Sequence, residues 1–378
     1  GAIVAIYTQN SDRQVQSIAY STDNGRSFTK YENNPVLTSD ARDFRDPKVF
    51  WHKETQRWIM LLAVGQEMQI FSSSNLKDWA FESSFGEGQG AHGGVWECPD
   101  LFELPVDGTN EKKWVLLCNL NPGGPFGGSA TQYFVGTFNG KEFVNESPSK
   151  TKWMDWGKDH YATVTWSDAP DNRRIAIAWM SNWQYANDVP TSQYRSPNSV
   201  PRDLSLFTVD GETYLQSAPS PELLKLRDIS KKRSFKVNGT RTIKDMIAGN
   251  EGAYEIELTI ENQHADVIGF RLYNDKGEEV DMQYDMKEKK FSMDRRKSGE
   301  VGFNENFPML TWTTIESGKD ELKLRLFVDK SSVEAFGDGG RFVMTNQVFP
   351  SEPYTHIDFY SKGGAYKVDS FVIYKLKK

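Results

Sequence analysis

Short apolar runs and alternating runs dominate the chain, and convincing helical periodicity is scarce. Residues 59–64 (IMLLAV), 114–118 (WVLLC) and 175–179 (IAIAW) have the length and composition of buried strands. Period-two alternation appears later, at 253–260 (AYEIELTI) and 322–328 (LKLRLFV), and predicts strands with one buried and one wet face. A common turn joins several earlier runs: 21–28 (STDNGRSF) is answered by 72–79 (SSSNLKDW) and, more weakly, by 136–143 (GTFNGKEF). Asp and Asn stabilise such turns by bonding nearby backbone, and Gly supplies the positive φ. The closing aromatic (Phe28, Trp79, Phe143) is expected to pin the returning strand onto the next sheet.

The pattern repeats. Pro47 and Pro99 are 52 positions apart (99 − 47), and Phe28 and Trp79 are 51 apart (79 − 28). Repeats of this size, each holding several strands, predict a β-propeller. Blades are expected at about 1–35, 45–85, 97–147 and 158–210, which makes four. The first reads as incomplete, because the chain opens on GAIVAIY, the interior of a strand. Composition shifts at 217–223 (SAPSPEL). The expected organisation is all-β: a propeller over 1–218, without its first blade, followed by a β-sandwich over 225–378.

Lys+Arg number 45 against 52 Asp+Glu, a net charge of −7 with no long block of either sign. That argues against nucleic acid and is compatible with a neutral partner. No run reaches the length of a membrane span, and no signal peptide is visible. Two cysteines, Cys98 and Cys118, provide neither a disulfide framework nor a zinc spacing, and His160 has no second ligand at useful distance. No cofactor is expected. Cys98 reads either as a small buried hydrophobe or as pocket wall beside Glu97.

Two carboxylates sit one repeat apart, each beside a proline: Asp46 in 44–47 (FRDP) and Glu97 in 96–99 (WECP). In a radial repeat such places converge on one pocket, and paired carboxylates there are equipment for breaking a glycosidic bond. The following proline pushes Asp46 towards extended geometry at the entrance of its strand. Arg45 can hold that carboxylate ionised or bind a sugar hydroxyl, and the competing reading is an ion pair with Asp46 that ties two blades together. Apolar surface next to Glu97 would favour its neutral form, as a general acid requires. The competing reading is a Glu bonded to backbone at a strand start. Asp159, opening the next blade, is expected to reach the pocket from a third side, and Trp183 to stack on a sugar ring.

At these residues the chain resembles glycoside hydrolase family 32, the invertases, exo-inulinases and levanases. FRDP resembles the family's Arg-Asp-Pro motif, WECPD its Glu-Cys motif, and 329–337 (DKSSVEAFG) a signature of its C-terminal sandwich. The stretch 181–191 (SNWQYANDVPT) is similar to bacterial levanases. The resemblance implies a five-bladed propeller followed by a sandwich, cleaving β-fructofuranosides with retention. It implies Glu97 as acid/base and Asp46 as the residue that binds fructosyl hydroxyls and stabilises the transition state. Arg45 and Trp183 would line the fructosyl and leaving-group subsites, and Asp159 would bind a hydroxyl. The family's nucleophile is an Asp in a Trp-Met-Asn-Asp-Pro-Asn-type motif on the first blade, and no such motif occurs here. The chain is therefore expected to lack its nucleophile and to be a weak catalyst or none.

Two other readings compete. One is a non-catalytic fructan-binding protein that keeps the pocket. The other, suggested by the turn at 21–28, is a sialidase-type propeller, but no set of three carboxylate-binding arginines accompanies it. The expected partner is fructan or sucrose, with no nucleic acid and no membrane. Strand edges left open by a missing blade would invite self-association. The resemblance implies a secreted, periplasmic or cell-surface location.

Overall fold

The computed structural model describes all residues except 247, 248, 250, 316–320 and 378, and only the backbone of residue 229. Two compact units divide the chain. The first is Gly1–Gly124, Thr131–Trp153 and Ala162–Val164; the second is Pro125–Ala130, Met154–Tyr161 and Thr165–Lys378.

Four antiparallel sheets follow one another through residue 219. The first has strands Ile3–Asn10, Gln14–Ser21 and Thr29–Lys30. The second runs Arg45–His52, Arg57–Val64, Glu67–Ser73 and Ala80–Phe85 in sequence order. In the third, Val95–Pro105, Lys112–Asn121, Ala130–Phe138 and Phe143–Asn145 are neighbours in turn, with Lys152–Trp153 also pairing Ala130–Phe138. The fourth comprises Tyr161–Trp166, Ile175–Trp179, Arg202–Val209 and Glu212–Pro219. The apolar runs predicted as strands lie in these elements, and Ile59, Met60, Leu61, Leu62 and Ala63 are wholly buried.

The recurrent turn works as its residue types dictate. Asp23 Oδ1 accepts the N–H groups of Arg26 and Ser27, Asn75 Oδ1 those of Lys77 and Asp78, and Asn139 Oδ1 those of Lys141 and Glu142. Gly25 and Gly140 supply the positive φ, but in the second turn Leu76 takes φ 65°. The aromatic's expected role holds for two of three. Trp79 packs against the cluster of Met60, Leu62 and Phe71, and Phe143 meets Phe85 edge-on at 5.1 Å. Phe28 remains about half exposed, because its sheet has only the two-residue strand Thr29–Lys30 beyond the turn.

Residues 227–376 form two six-stranded antiparallel sheets. One has the order Arg227–Val237, Tyr366–Leu376, Tyr254–Asn262, Glu321–Asp329, Ser332–Gly337, Phe342–Gln347. The other runs Thr240–Ile243, His356–Lys362, Val267–Tyr273, Glu279–Asp285, Lys290–Lys297, Leu310–Thr314. Their inward residues, such as Ile256, Leu258, Phe270, Met282, Leu326 and Phe359, share one core, as period-two alternation requires.

A buried ionic network lies within the second unit. Arg202, fully buried, donates to Asp155 Oδ2 (2.9 Å) and Glu334 Oε2 (2.8 Å), and Thr345 Oγ1 also donates to Asp155. Glu334 belongs to the DKSSVEAFG signature, so part of that signature closes an interior charge network. The segment Met154–Tyr161 also joins the strand Phe342–Gln347 through Trp156 N–H to Val343 O and Asp159 N–H to Thr345 O. Gly157 permits this, since a Cβ there would lie 2.0 Å from Thr345 O.

His160 is buried beside this network. Burial first, and the nearby Arg202 charge second, push its imidazole from 6.5 down to about 3. Unfolding therefore takes up a proton between about pH 6.5 and 3, and stability falls as pH is lowered through that window. His160→Gln is expected to reduce the pH slope of urea-unfolding stability by up to one proton, or about 1.4 kcal/mol per pH unit.

Candidate active site

Both motif prolines lie inside strands, at matching bulges. In Arg45–His52, Arg45 pairs with Ala63 and Lys48 with Leu61, so Asp46 and Pro47 together face the single residue Leu62. In Val95–Pro105, Glu97 pairs with Asn119 and Asp100 with Leu117, so Cys98 and Pro99 together face Cys118. Proline has no N–H to give to a ladder, and a bulge is where a strand tolerates it. The first bulge residue is left-handed in each case, Asp46 at φ 61° and Cys98 at φ 44°. Ala162, second residue of Tyr161–Trp166, repeats this at φ 52°. Asp46 is therefore equivalent to Cys98, and Arg45 to Glu97 and Tyr161. The sequence reading, which aligned Asp46 with Glu97 to within a residue, is corrected by that residue.

The bulges bring the two motifs together. Arg45 Nη2 and Nε donate to Glu97 Oε1 at 3.0 and 3.3 Å, and Nη1 donates to Asp43 Oδ1 at 2.6 Å and Gln14 Oε1 at 3.2 Å. Burial opposes the charged guanidinium, but bonds to Asp43 and Glu97 outweigh it and hold Arg45 above its ordinary value. Glu97 remains about a quarter exposed. Its carboxylate meets a guanidinium rather than the apolar surface expected for it. Arg45 does not pair with Asp46 either. Asp46 Oδ2 accepts the Cys98 N–H at 2.9 Å, while the Asp46 N–H donates to Thr8 Oγ1 at 3.1 Å. One step further along the strands, Lys48 Nζ meets Asp100 Oδ2 at 3.0 Å. Three side chains of one strand thus reach three consecutive landmarks of the other.

Beneath Glu97, its cross-strand partner Asn119 is fully buried and uses both ends of its amide. Nδ2 donates to Cys98 O (3.0 Å), and Oδ1 accepts from Thr163 N–H (3.0 Å) and Thr131 Oγ1 (2.6 Å). This fixes the carbonyl of the left-handed residue. The Cys98 thiol is pushed well up by burial and then by the Asp46 and Glu97 charges, which disfavours a thiolate there. Asp43, Lys48, Asp100 and Asn119 were not singled out from sequence. The pairing of FRDPK with WECPD, read position by position at a 52-residue step, would have found Lys48 and Asp100.

Asp159 and Trp183 belong to the second unit. Asp159 is wholly buried: Oδ1 accepts from Tyr185 Oη (2.6 Å), and Oδ2 accepts from the fully buried Arg295 and from Gln347 N–H (2.8 Å). A carboxylate enclosed by these donors has no open face for a sugar hydroxyl, so the expected binding role gives way to a structural one. Counting three residues back from each left-handed position gives Asp43, Val95 and Asp159; Asp159 thus matches Asp43, not Asp46. Trp183 is half exposed, its ring 4.9 Å from Trp179, which in turn lies 6.1 Å from Tyr161. Its backbone N–H donates to Ser129 Oγ at 3.1 Å.

Comparison with known proteins places this arrangement. The model of the glycosyl hydrolases family 32 N-terminal domain matches residues 1–219, and that of the family 32 C terminal matches residues 222–375. A levanase from Bacillus subtilis (strain 168) is 45% identical over 387 residues, covering 100% of this chain and 57% of that protein. An extracellular exo-inulinase from Aspergillus awamori is 36% identical, covering 98% of this chain and 73% of its own length. The solved structure of a fructofuranosidase from Schwanniomyces occidentalis complexed with fructose aligns at a TM-score of 0.88 and 33% identity, covering 99% of this chain and 79% of that one. The chain thus spans little more than half the length of the levanase it matches. Its all-β architecture is that of the family's propeller and sandwich structures. The chain belongs to glycosyl hydrolases family 32.

Proposed function

We propose that this chain carries the acid and sugar-binding side of a site that hydrolyses β-D-fructofuranosidic bonds in fructans or sucrose with retention. Glu97 gives its proton to the departing glycosidic oxygen and takes one back from water in the second step. Asp46, with Oδ2 held by the Cys98 N–H, offers Oδ1 to fructosyl hydroxyls and stabilises the oxocarbenium-like transition state. Arg45, spanning Asp43 and Glu97, fixes where the Glu97 carboxylate points. The observation that carries this reading is the convergence of FRDPK and WECPD from matching bulges of successive sheets.

Retention also needs an attacking carboxylate about 5 Å from the acid. The carboxylates beside Glu97 have other partners: Asp43 is held by Arg45, Asp46 by the Cys98 N–H, and Asp100 by Lys48. We assign no nucleophile among the described residues beside Glu97, and on that reading the chain by itself is a weak catalyst. Residues 1–218 would form the propeller domain and 225–378 the sandwich domain. The protein would act outside the cell, as the name of the Aspergillus awamori relative states for that enzyme.

Calorimetric titration of the chain with fructose or a short fructo-oligosaccharide tests the sugar-binding assignment. Asp46→Ala is expected to weaken binding about 10- to 100-fold, the worth of a charged hydrogen bond. Unchanged affinity in a folded variant would remove Asp46 from the site.

A further inference from the structure

Three aromatic side chains from separate elements of the second unit are partly or half exposed, on segments tied to one another by the contacts below. Trp183 is 51% exposed and Trp312 40%, and Phe126 is partly exposed between glycine pairs. The loop bearing Phe126 is tied to the turn bearing Trp183. Asn182 Nδ2 donates to the carbonyls of Gly127 (3.3 Å) and Ser129 (3.4 Å), Asn182 Oδ1 accepts the Ser129 N–H (3.3 Å), and Trp183 N–H donates to Ser129 Oγ. Gly128 stands at φ 71°, and a Cβ there would lie 2.0 Å from Asn182 Oδ1, so this approach requires glycine. At the loop's other end Phe126 meets Trp312 edge-on, with centroids 6.3 Å apart and planes at 73°.

Trp312 belongs to Leu310–Thr314, which ends its six-stranded sheet. Thr311 and Thr313 turn inward, and Trp312 and Thr314 outward. Lys290 Nζ lies 4.1 Å over the indole. Held aromatic faces with a hydroxyl-binding cation suit a ligand with apolar C–H faces, many hydroxyls and no charge. A fructan is such a ligand.

We propose that Trp183, Phe126 and Trp312 form a fructan-binding ridge on which successive fructosyl residues of a polymer stack, with Lys290 bonding their hydroxyls. The proposal rests on the reading that this chain handles fructans, and it assigns polymer contacts to a sandwich strand and a glycine-rich loop. A single fructose cannot span the ridge, so polymer and monomer should respond differently to its loss.

Electrophoresis of the 378-residue chain through gels containing inulin or levan, beside calorimetry with fructose, tests this. Trp312→Ala and Phe126→Ala should each weaken polymer retention about five- to tenfold while leaving fructose affinity unchanged, and Trp312→Phe should recover most of the loss. Trp166→Ala, at an equally exposed tryptophan off the ridge, should behave as wild type. Equal retention by Trp312→Ala and wild type would overturn the ridge, as would a change in self-association with no change in fructan retention. A wild-type chain that binds fructose but not polymer overturns the ridge alone. A folded wild-type chain that binds neither overturns the fructan reading as well.

Discussion

Glu97→Gln is expected to lower fructosyl azide formation from inulin or levan, with azide supplied, by about 10²- to 10⁴-fold, the usual worth of a positioned general acid. Glutamine keeps the side chain's shape and can still accept from Arg45, so binding and fold should survive. What it cannot do is give a proton to the departing sugar oxygen. The assay supplies azide as the attacking group, because no nucleophile is assigned within the chain. A β-fructofuranosyl fluoride, whose leaving group departs without a proton, should lose less than about tenfold in the same variant. Equal losses on both substrates would mean that Glu97 binds or supports the site rather than acting as its acid.

Arg295→Met is expected to destabilise the chain by about 3–5 kcal/mol, read as a fall in the urea-unfolding midpoint. Arg295 is fully buried, bonded to Asp159, the Tyr185 hydroxyl (2.9 Å), Phe307 O (2.8 Å) and Gln347 O (3.1 Å), with its guanidinium over the Phe307 ring. Removing it leaves the Asp159 charge buried without its counterion, and that residual charge is the larger part of the cost. Adding Asp159→Asn to Arg295→Met should therefore recover part of the loss, a coupling that a double-mutant cycle measures. Asp159→Asn alone should leave fructose affinity unchanged. A selective loss of fructose binding in that variant would restore Asp159 to the sugar site.

Much of this fold is legible in the sequence because its signals are local. The run 175–179 is a strand with those bounds, 59–64 lies within Arg57–Val64, and the Asx-type turns place their Asp and Asn oxygens on the amides that such turns leave unpaired. The motif pair was also legible, since FRDP and WECP mark the same step. What escaped were facts of register and depth. A one-residue bulge decides whether Asp46 or Arg45 is the counterpart of Glu97, and no residue type announces it. Asp159 looks like any strand-opening Asp until Arg295, 136 positions away, closes over it. Phe28 carries the same turn signal as Trp79, yet stays exposed because its burial depends on strands beyond the turn.

On the proposed reading, FRDPK and WECPD form the acid side of a fructan-cleaving site, and none of the described carboxylates beside Glu97 is its attacking group. The most direct measurement is the release of fructose without azide, and of fructosyl azide with it, from sucrose, inulin and levan by the 378-residue chain. The account predicts negligible release without azide, and with it an azide-dependent reaction giving the α-fructosyl azide, since a single displacement inverts the anomeric centre. Rapid release without azide, abolished by Glu97→Gln, would contradict it: a carboxylate within these residues would then be the nucleophile.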